Sequence, residues 1–105
     1  MNLIISALVF AFFVVSGARA SDDPELIAYG EYLSSECVTC HQMSGKDNGI
    51  PPIVGWDVTS FFQVIDTYRL KVRENATMQT IAANLSDEEI KALAAYFATI
   101  KPTEE

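Results

Sequence analysis

Cysteine and histidine occur in one place only in this 105-residue chain, the pentapeptide Cys37-Val38-Thr39-Cys40-His41. Two thiols three positions apart, followed at once by an imidazole, form the C-x-x-C-H spacing of covalent haem attachment. Each thiol adds to one vinyl group of the porphyrin, and the histidine is held against the iron as proximal ligand. A zinc site needs about four ligands, and Cys37, Cys40 and His41 supply three. A thioredoxin-like C-x-x-C follows a strand, whereas Cys37 follows a helical pattern. A plain disulfide accounts for neither His41 nor the rest of the layout. The cofactor expected is one covalently bound haem c.

A haem iron held by His41 has a sixth position, and what fills it decides the chemistry. Beyond the initiator, the chain has two methionines, Met43 and Met78. Met43 is too close to His41 to cross to the opposite face of the ring. Met78 lies after a helix and a loop, far enough along the chain to wrap around. Ligation by His41 and Met78 gives low-spin, six-coordinate iron of raised potential, because thioether sulfur favours the ferrous state. No position then remains open for oxygen or peroxide, and no second histidine exists to act as a distal base. An electron-transfer protein is expected, not an enzyme.

The elements that position these side chains are helices and loops. Leu3 to Val15 is apolar and ends in Ala18-Arg19-Ala20, so residues 1–20 are expected to be a signal peptide, with an uncleaved membrane anchor as the rival reading. Residues 21–105 form the single remaining domain, with an ordered core over about residues 24–101. Its 85 residues are few for a self-sufficient core, and a haem would both fill and staple it. Losing Arg19 with the leader leaves six basic against 14 acidic residues, a formal charge of −8. That balance excludes nucleic acid as a natural partner. Export also places the two thiols in an oxidising compartment, the periplasm.

Asp23 and Pro24 open a first helix running to about Glu36, with Leu26, Tyr29 or Gly30, and Leu33 on one face. Residues 42–57 carry Gly45, Gly49, Pro51, Pro52 and Gly55 and form an irregular loop. Thr59 or Ser60 caps a second helix, about residues 60–71, with Phe61, Ile65 and Tyr68 inward. A loop over residues 74–77 leads to Met78, and residues 79–84 form a short helical turn. Ser86-Asp87-Glu88-Glu89 is a capping box for the last helix, whose buried face is Ile90, Leu93, Ala94 and Phe97. Pro102 stops it and leaves a disordered acidic tail. The fold class is all-α, three to four helices and loops around one haem.

Gly30, Leu33, Cys37, Cys40 and His41 follow a G-x-x-L-x-x-x-C-x-x-C-H arrangement, and Met78, Ile81 and Ala82 precede Leu85-Ser86-Asp87-Glu88-Glu89-Ile90. In these features the chain resembles the small bacterial class I cytochromes c, of the c553 kind. Tyr68-Arg69, Arg73 and Ala94-x-Tyr96-Phe97-Ala98 are also similar to haem domains associated with periplasmic sulfide dehydrogenase flavoproteins. The resemblance implies that Gly30 lets the first helix cross the helix carrying Ala94 and Phe97. It implies further that Pro52, in a P-x-L-x-G-like loop, accepts the second imidazole N–H of His41. Trp56 is then a candidate for packing on the haem edge or bonding a propionate, beside the plainer role of a core tryptophan. Gln42, where many relatives have glycine, and the compact loop before Pro52 depart from the pattern.

The function implied is a periplasmic one-electron carrier. Its donor would be a flavin or molybdenum dehydrogenase, possible in sulfur-compound oxidation, and its acceptor an oxidase or another cytochrome. A tightly bound haem subunit of a sulfide or sulfite dehydrogenase is the alternative. Lys46, Arg69, Lys71 and Arg73 are candidate docking charges.

Overall fold

The fold is taken from a computed structural model, which describes residues 23–103 together with Val9 and Ala11. The expected signal peptide therefore lies outside the described residues, apart from those two positions. Five helices follow one another: α1 (Pro24–Leu33), α2 (Ser35–Val38), α3 (Val58–Arg69), α4 (Ala76–Ala83) and α5 (Asp87–Ala98). There is no strand among the described residues, and no helix in them is long and apolar enough to cross a membrane.

The first expected helix is divided in two. Asp23 caps α1 by accepting the Glu25 N–H at 3.0 Å, with Pro24 in the first turn. The break falls at Ser34, whose Oγ donates to the Glu31 carbonyl at 2.6 Å, and a serine competing for a helical carbonyl bends the chain there. α2 then resumes as a single turn. Gly30, not Tyr29, is the buried residue of the pair.

α3 begins two residues earlier than expected because Asp57 is its cap. Its carboxylate accepts both the N–H and the hydroxyl of Ser60, at 3.1 and 3.2 Å, so Ser60 is spent as a partner and not as a cap. The helix ends in a Schellman motif, with the Val72 N–H on the Thr67 carbonyl and the Lys71 N–H on the Tyr68 carbonyl. Lys71 occupies the left-handed position of that motif at φ 60°.

The segment around Met78 is more regular than its sequence suggests. Asn75 caps α4 by accepting the Met78 N–H at 2.9 Å, which places Met78 in the first turn of a helix and not in the preceding loop. The capping box of α5 has both of its bonds, Glu89 N–H to Ser86 Oγ at 3.1 Å and Ser86 N–H to Glu89 Oε1 at 3.0 Å. Ile90, Leu93, Ala94 and Phe97 are all buried, as their period requires.

α5 is the central element, packed against α1 on one side and α3 on another. A Cβ on Gly30 would stand 2.0 Å from the Ala92 carbonyl oxygen and 2.7 Å from Tyr96 Cβ, so the α1–α5 crossing tolerates no side chain there. The partner helix is the one expected, the helix carrying Ala94 and Phe97, and within it Ala92 and Tyr96 make the contact. Beyond α5 the chain does not trail away. Thr103 donates its N–H to the Ser44 carbonyl at 2.8 Å, and Pro102 lies against Gly45 and Gly55. Gly45 is required twice, by its φ of 81° and because a Cβ there would meet Pro102 Cβ at 2.8 Å. The disorder expected after Pro102 is thus corrected as far as Thr103, where the description ends.

Candidate haem site

A cavity of about 570 Å³ opens between α2, the 41–56 loop, α3, α4 and the inner face of α5, a size ordinary for a cofactor site. Cys37, Cys40, His41 and Met78 all line it. The turn at the end of α2 explains how three of these converge. The N–H groups of Cys40 and His41 both bond the Cys37 carbonyl, at 3.2 and 2.9 Å, which folds the pentapeptide into one tight turn. Ile53, Phe61, Ile65 and Leu93 make much of the remaining wall, an apolar surround suited to a porphyrin body.

His41 is only 8 % exposed, and its Nδ1 stands 2.5 Å from the Pro51 carbonyl oxygen. A carbonyl only accepts, so Nδ1 carries the proton and Nε2 keeps its lone pair. That tautomer is the one an iron ligand needs, and the carbonyl also fixes the ring plane. The partner expected was Pro52. The structure corrects this by one residue: Pro51 faces the cavity, after a turn in which Asp47 Oδ1 accepts the Gly49 N–H at 2.8 Å. Neither proline has an N–H to occupy its neighbour, so the residue types alone do not distinguish the two carbonyls.

Cys37 and Cys40 are free thiols, one half-buried and one exposed. Burial, with a smaller contribution from the Glu36 carboxylate, pushes the Cys37 thiol up from 9.0 to about 11. Among the described residues, no three His, Cys, Asp or Glu side chains converge in a way that could hold a bare metal ion. The donor set therefore fits a haem joined through two thioethers: a buried imidazole with Nε2 available, two thiols and a thioether around one apolar space.

Trp56 lines the cavity and meets Phe61 edge-on, with ring centroids 6.3 Å apart, and Phe61 stacks on Phe97 at 5.7 Å. Met43 packs against the core and does not line the cavity.

Arg69, one of the candidate docking charges, is engaged within the chain. It donates to Asp66 Oδ1 at 2.8 Å, to Asp87 Oδ1 at 2.6 Å and to the Leu85 carbonyl at 3.3 Å, tying the end of α3 to the α4–α5 junction. Sequence reasoning missed this clamp. Its only local trace is the three-residue spacing of Asp66 and Arg69 on one helix.

Comparison with known proteins gives the same identification. Residues 28–97 match the family model described as cytochrome C oxidase, cbb3-type, subunit III. A thiosulfate dehydrogenase electron acceptor of Stutzerimonas stutzeri (strain A1501) is 35% identical over 92 residues, covering 83% of this chain and 43% of the relative. Another of the same description, from Thiomonas intermedia (strain K12), is 26% identical over 104 residues, covering 96% of this chain and 44% of the relative. Reduced cytochrome c4 from Pseudomonas stutzeri superposes with a TM-score of 0.68 at 27% identity, over 75% of this chain and 50% of that one. The chain thus spans less than half the length of the curated relatives it matches. It belongs to the cytochrome c oxidase cbb3-type subunit III family, as a c-type cytochrome whose haem attachment site is Cys37-Val38-Thr39-Cys40-His41.

Proposed function

We propose that this chain is a periplasmic one-electron carrier in which His41 and Met78 are the two axial ligands of the haem and a dehydrogenase acting on sulfur compounds is the electron donor. The observation that carries this reading is that Met78 lines the same apolar cavity as His41 and both thiols. A covalently bound haem supplies an iron that cycles between Fe(III) and Fe(II). The protein's part would be to hold the iron through His41 and Met78 in either oxidation state, so that neither residue needs to be exchanged. The Pro51 carbonyl draws on the Nδ1–H of His41 and raises the basicity of Nε2. Met78, fixed in the first turn of α4, supplies a soft sulfur that favours the ferrous state. With His41 and Met78 both committed to the iron, no position would be offered to oxygen or peroxide, and the role is carriage and not catalysis.

The sulfur connection rests on the relatives described as thiosulfate dehydrogenase electron acceptors. A flavin or molybdenum dehydrogenase is the matching class of donor, and an oxidase or a further cytochrome the matching acceptor. Because the family description names an oxidase subunit, a stably bound haem subunit is the second reading. Size separates the two: a monomer of the mature mass plus haem is a shuttle, and copurification with a larger protein identifies a subunit.

The ligand assignment is tested on the haem-loaded protein. Met78→Ala is expected to abolish the weak sulfur-to-iron absorption at the red end of the spectrum and to lower the midpoint potential, with haem still covalently attached. An unchanged band sinks the assignment. Reduction by a thiosulfate-oxidising dehydrogenase, followed by stopped flow, tests the donor.

A further inference from the structure

Two arginines stand on the Met78 side of the cavity, and they are held very differently. Arg69 is consumed by Asp66, Asp87 and the Leu85 carbonyl. Arg73 has no carboxylate partner among the described residues. Its Nε donates to Thr67 Oγ1 at 3.3 Å, and its guanidinium carbon sits over the Tyr68 ring, 5.7 Å from the centroid. Its two terminal nitrogens make no hydrogen bond to any described residue. Arg73 and Tyr68 both line the cavity that Cys37, His41 and Met78 share.

A guanidinium bonded at Nε and placed over an aromatic face is oriented before any ligand arrives, and its terminal nitrogens form a fork matched to a carboxylate. A haem is apolar except at its two propionates, so the cavity must receive carboxylate as well as porphyrin. We propose that Arg73 pairs with a haem propionate through its terminal nitrogens, with Tyr68 and Thr67 as the residues that aim it. The inference rests on the carrier reading above. A fixed cation there disfavours the ferric form, in which the haem bears one more positive charge, and so raises the potential. Arg73 is exposed and its main-chain carbonyl, which accepts from Gln79, survives substitution, so the variants should fold.

The test compares haem-loaded wild type with Arg73→Gln and Arg73→Lys. Midpoint potential and the propionate bending bands of the resonance Raman spectrum are measured, with the sulfur-to-iron absorption as a check on Met78. Arg73→Gln should shift the potential downward and displace a propionate band while the sulfur-to-iron absorption persists. Arg73→Lys should keep most of the potential, since the charge remains, yet still displace the band, since the fork is lost. Propionate bands unmoved in Arg73→Gln overturn the inference, even with a lowered potential, because a surface charge alone would do that. Loss of the sulfur-to-iron absorption in Arg73→Gln also overturns it, and would make Arg73 a support for α4 instead. A wild-type chain with no haemochrome spectrum refutes the carrier reading itself, whereas a normal wild type beside an indifferent Arg73→Gln refutes this inference alone.

Discussion

The cavity has two walls built on opposite principles. The Met78 wall is helical throughout. α3, α4 and α5 each carry a side-chain cap, from Asp57, Asn75 and Ser86, and Arg69 ties their ends together. The His41 wall is the irregular loop after α2, with few regular bonds of its own. It is held from outside, by the Thr103–Ser44 bonds, by Pro102 against Gly45 and by the Gly55 N–H on the Phe97 carbonyl. Order on the first side comes from neighbours in sequence, and on the second from residues about half a chain away. Two side chains that line one cavity, His41 and Met78, can therefore differ in what it takes to disturb them.

The largest effect should come where the walls meet. Gly30 joins α1, which leads to Cys37, onto α5, and Gly30→Val forces a side chain into the Ala92 carbonyl. A loss of about 3 kcal/mol is expected in denaturant unfolding of the haem-loaded protein, at the upper end for overpacking. An unchanged midpoint would mean that the two walls do not share this crossing. Truncation after Ile100 should affect the His41 wall alone. It removes the bonds from Thr103 to Ser44, at a cost of about 1 kcal/mol. Amide exchange should quicken at Gly45 and Gly55 and stay slow in α4; uniform quickening would remove the distinction between the walls.

A smaller change of opposite sign is expected at the end of α3. Lys71 holds φ 60° in its Schellman motif, so Lys71→Gly should raise stability by up to about 1 kcal/mol, read as a higher thermal midpoint. The least effect is alkaline and confined to the His41 side. In the haem-free chain the folded Cys37 thiol titrates at about 11 against 9.0, so the unfolded chain loses its proton first. The stability this group contributes is complete below pH 9 and disappears as pH rises through about 11. Cys37→Ser should remove that slope, as should thioether formation, which leaves nothing to titrate.

The two walls were also unequally legible in the amino-acid sequence. The capping box at Ser86 and the buried face of α5 follow from spacings of three and four residues, which a helix enforces, and Met78 follows from being, beyond the initiator, the one thioether far enough from His41 to reach around a ring. The Cys37–His41 turn is equally local. What was not legible depends on distant partners or on close competitors. Asp57, Thr59 and Ser60 are all good caps within four positions, and only the bonds to Ser60 show which one acts. Pro51 and Pro52 offer chemically equivalent carbonyls to one imidazole. Arg69 finds Asp87 18 positions away, and Thr103 finds Ser44 across 59. No periodicity marks such pairs, because the chain between them is free to take many routes.

That last separation sets an order of events as the chain emerges into the compartment where it folds. The loop that will carry the Pro51 carbonyl emerges well before the segment that bolts it down, 59 positions later. Through that interval the helices of the Met78 wall are themselves still arriving, and the His41 side stands open. The bolt can close only after α5 is in place, since it departs from the end of that helix. The side of the cavity that lacks its own scaffolding is thus the first made and the last secured.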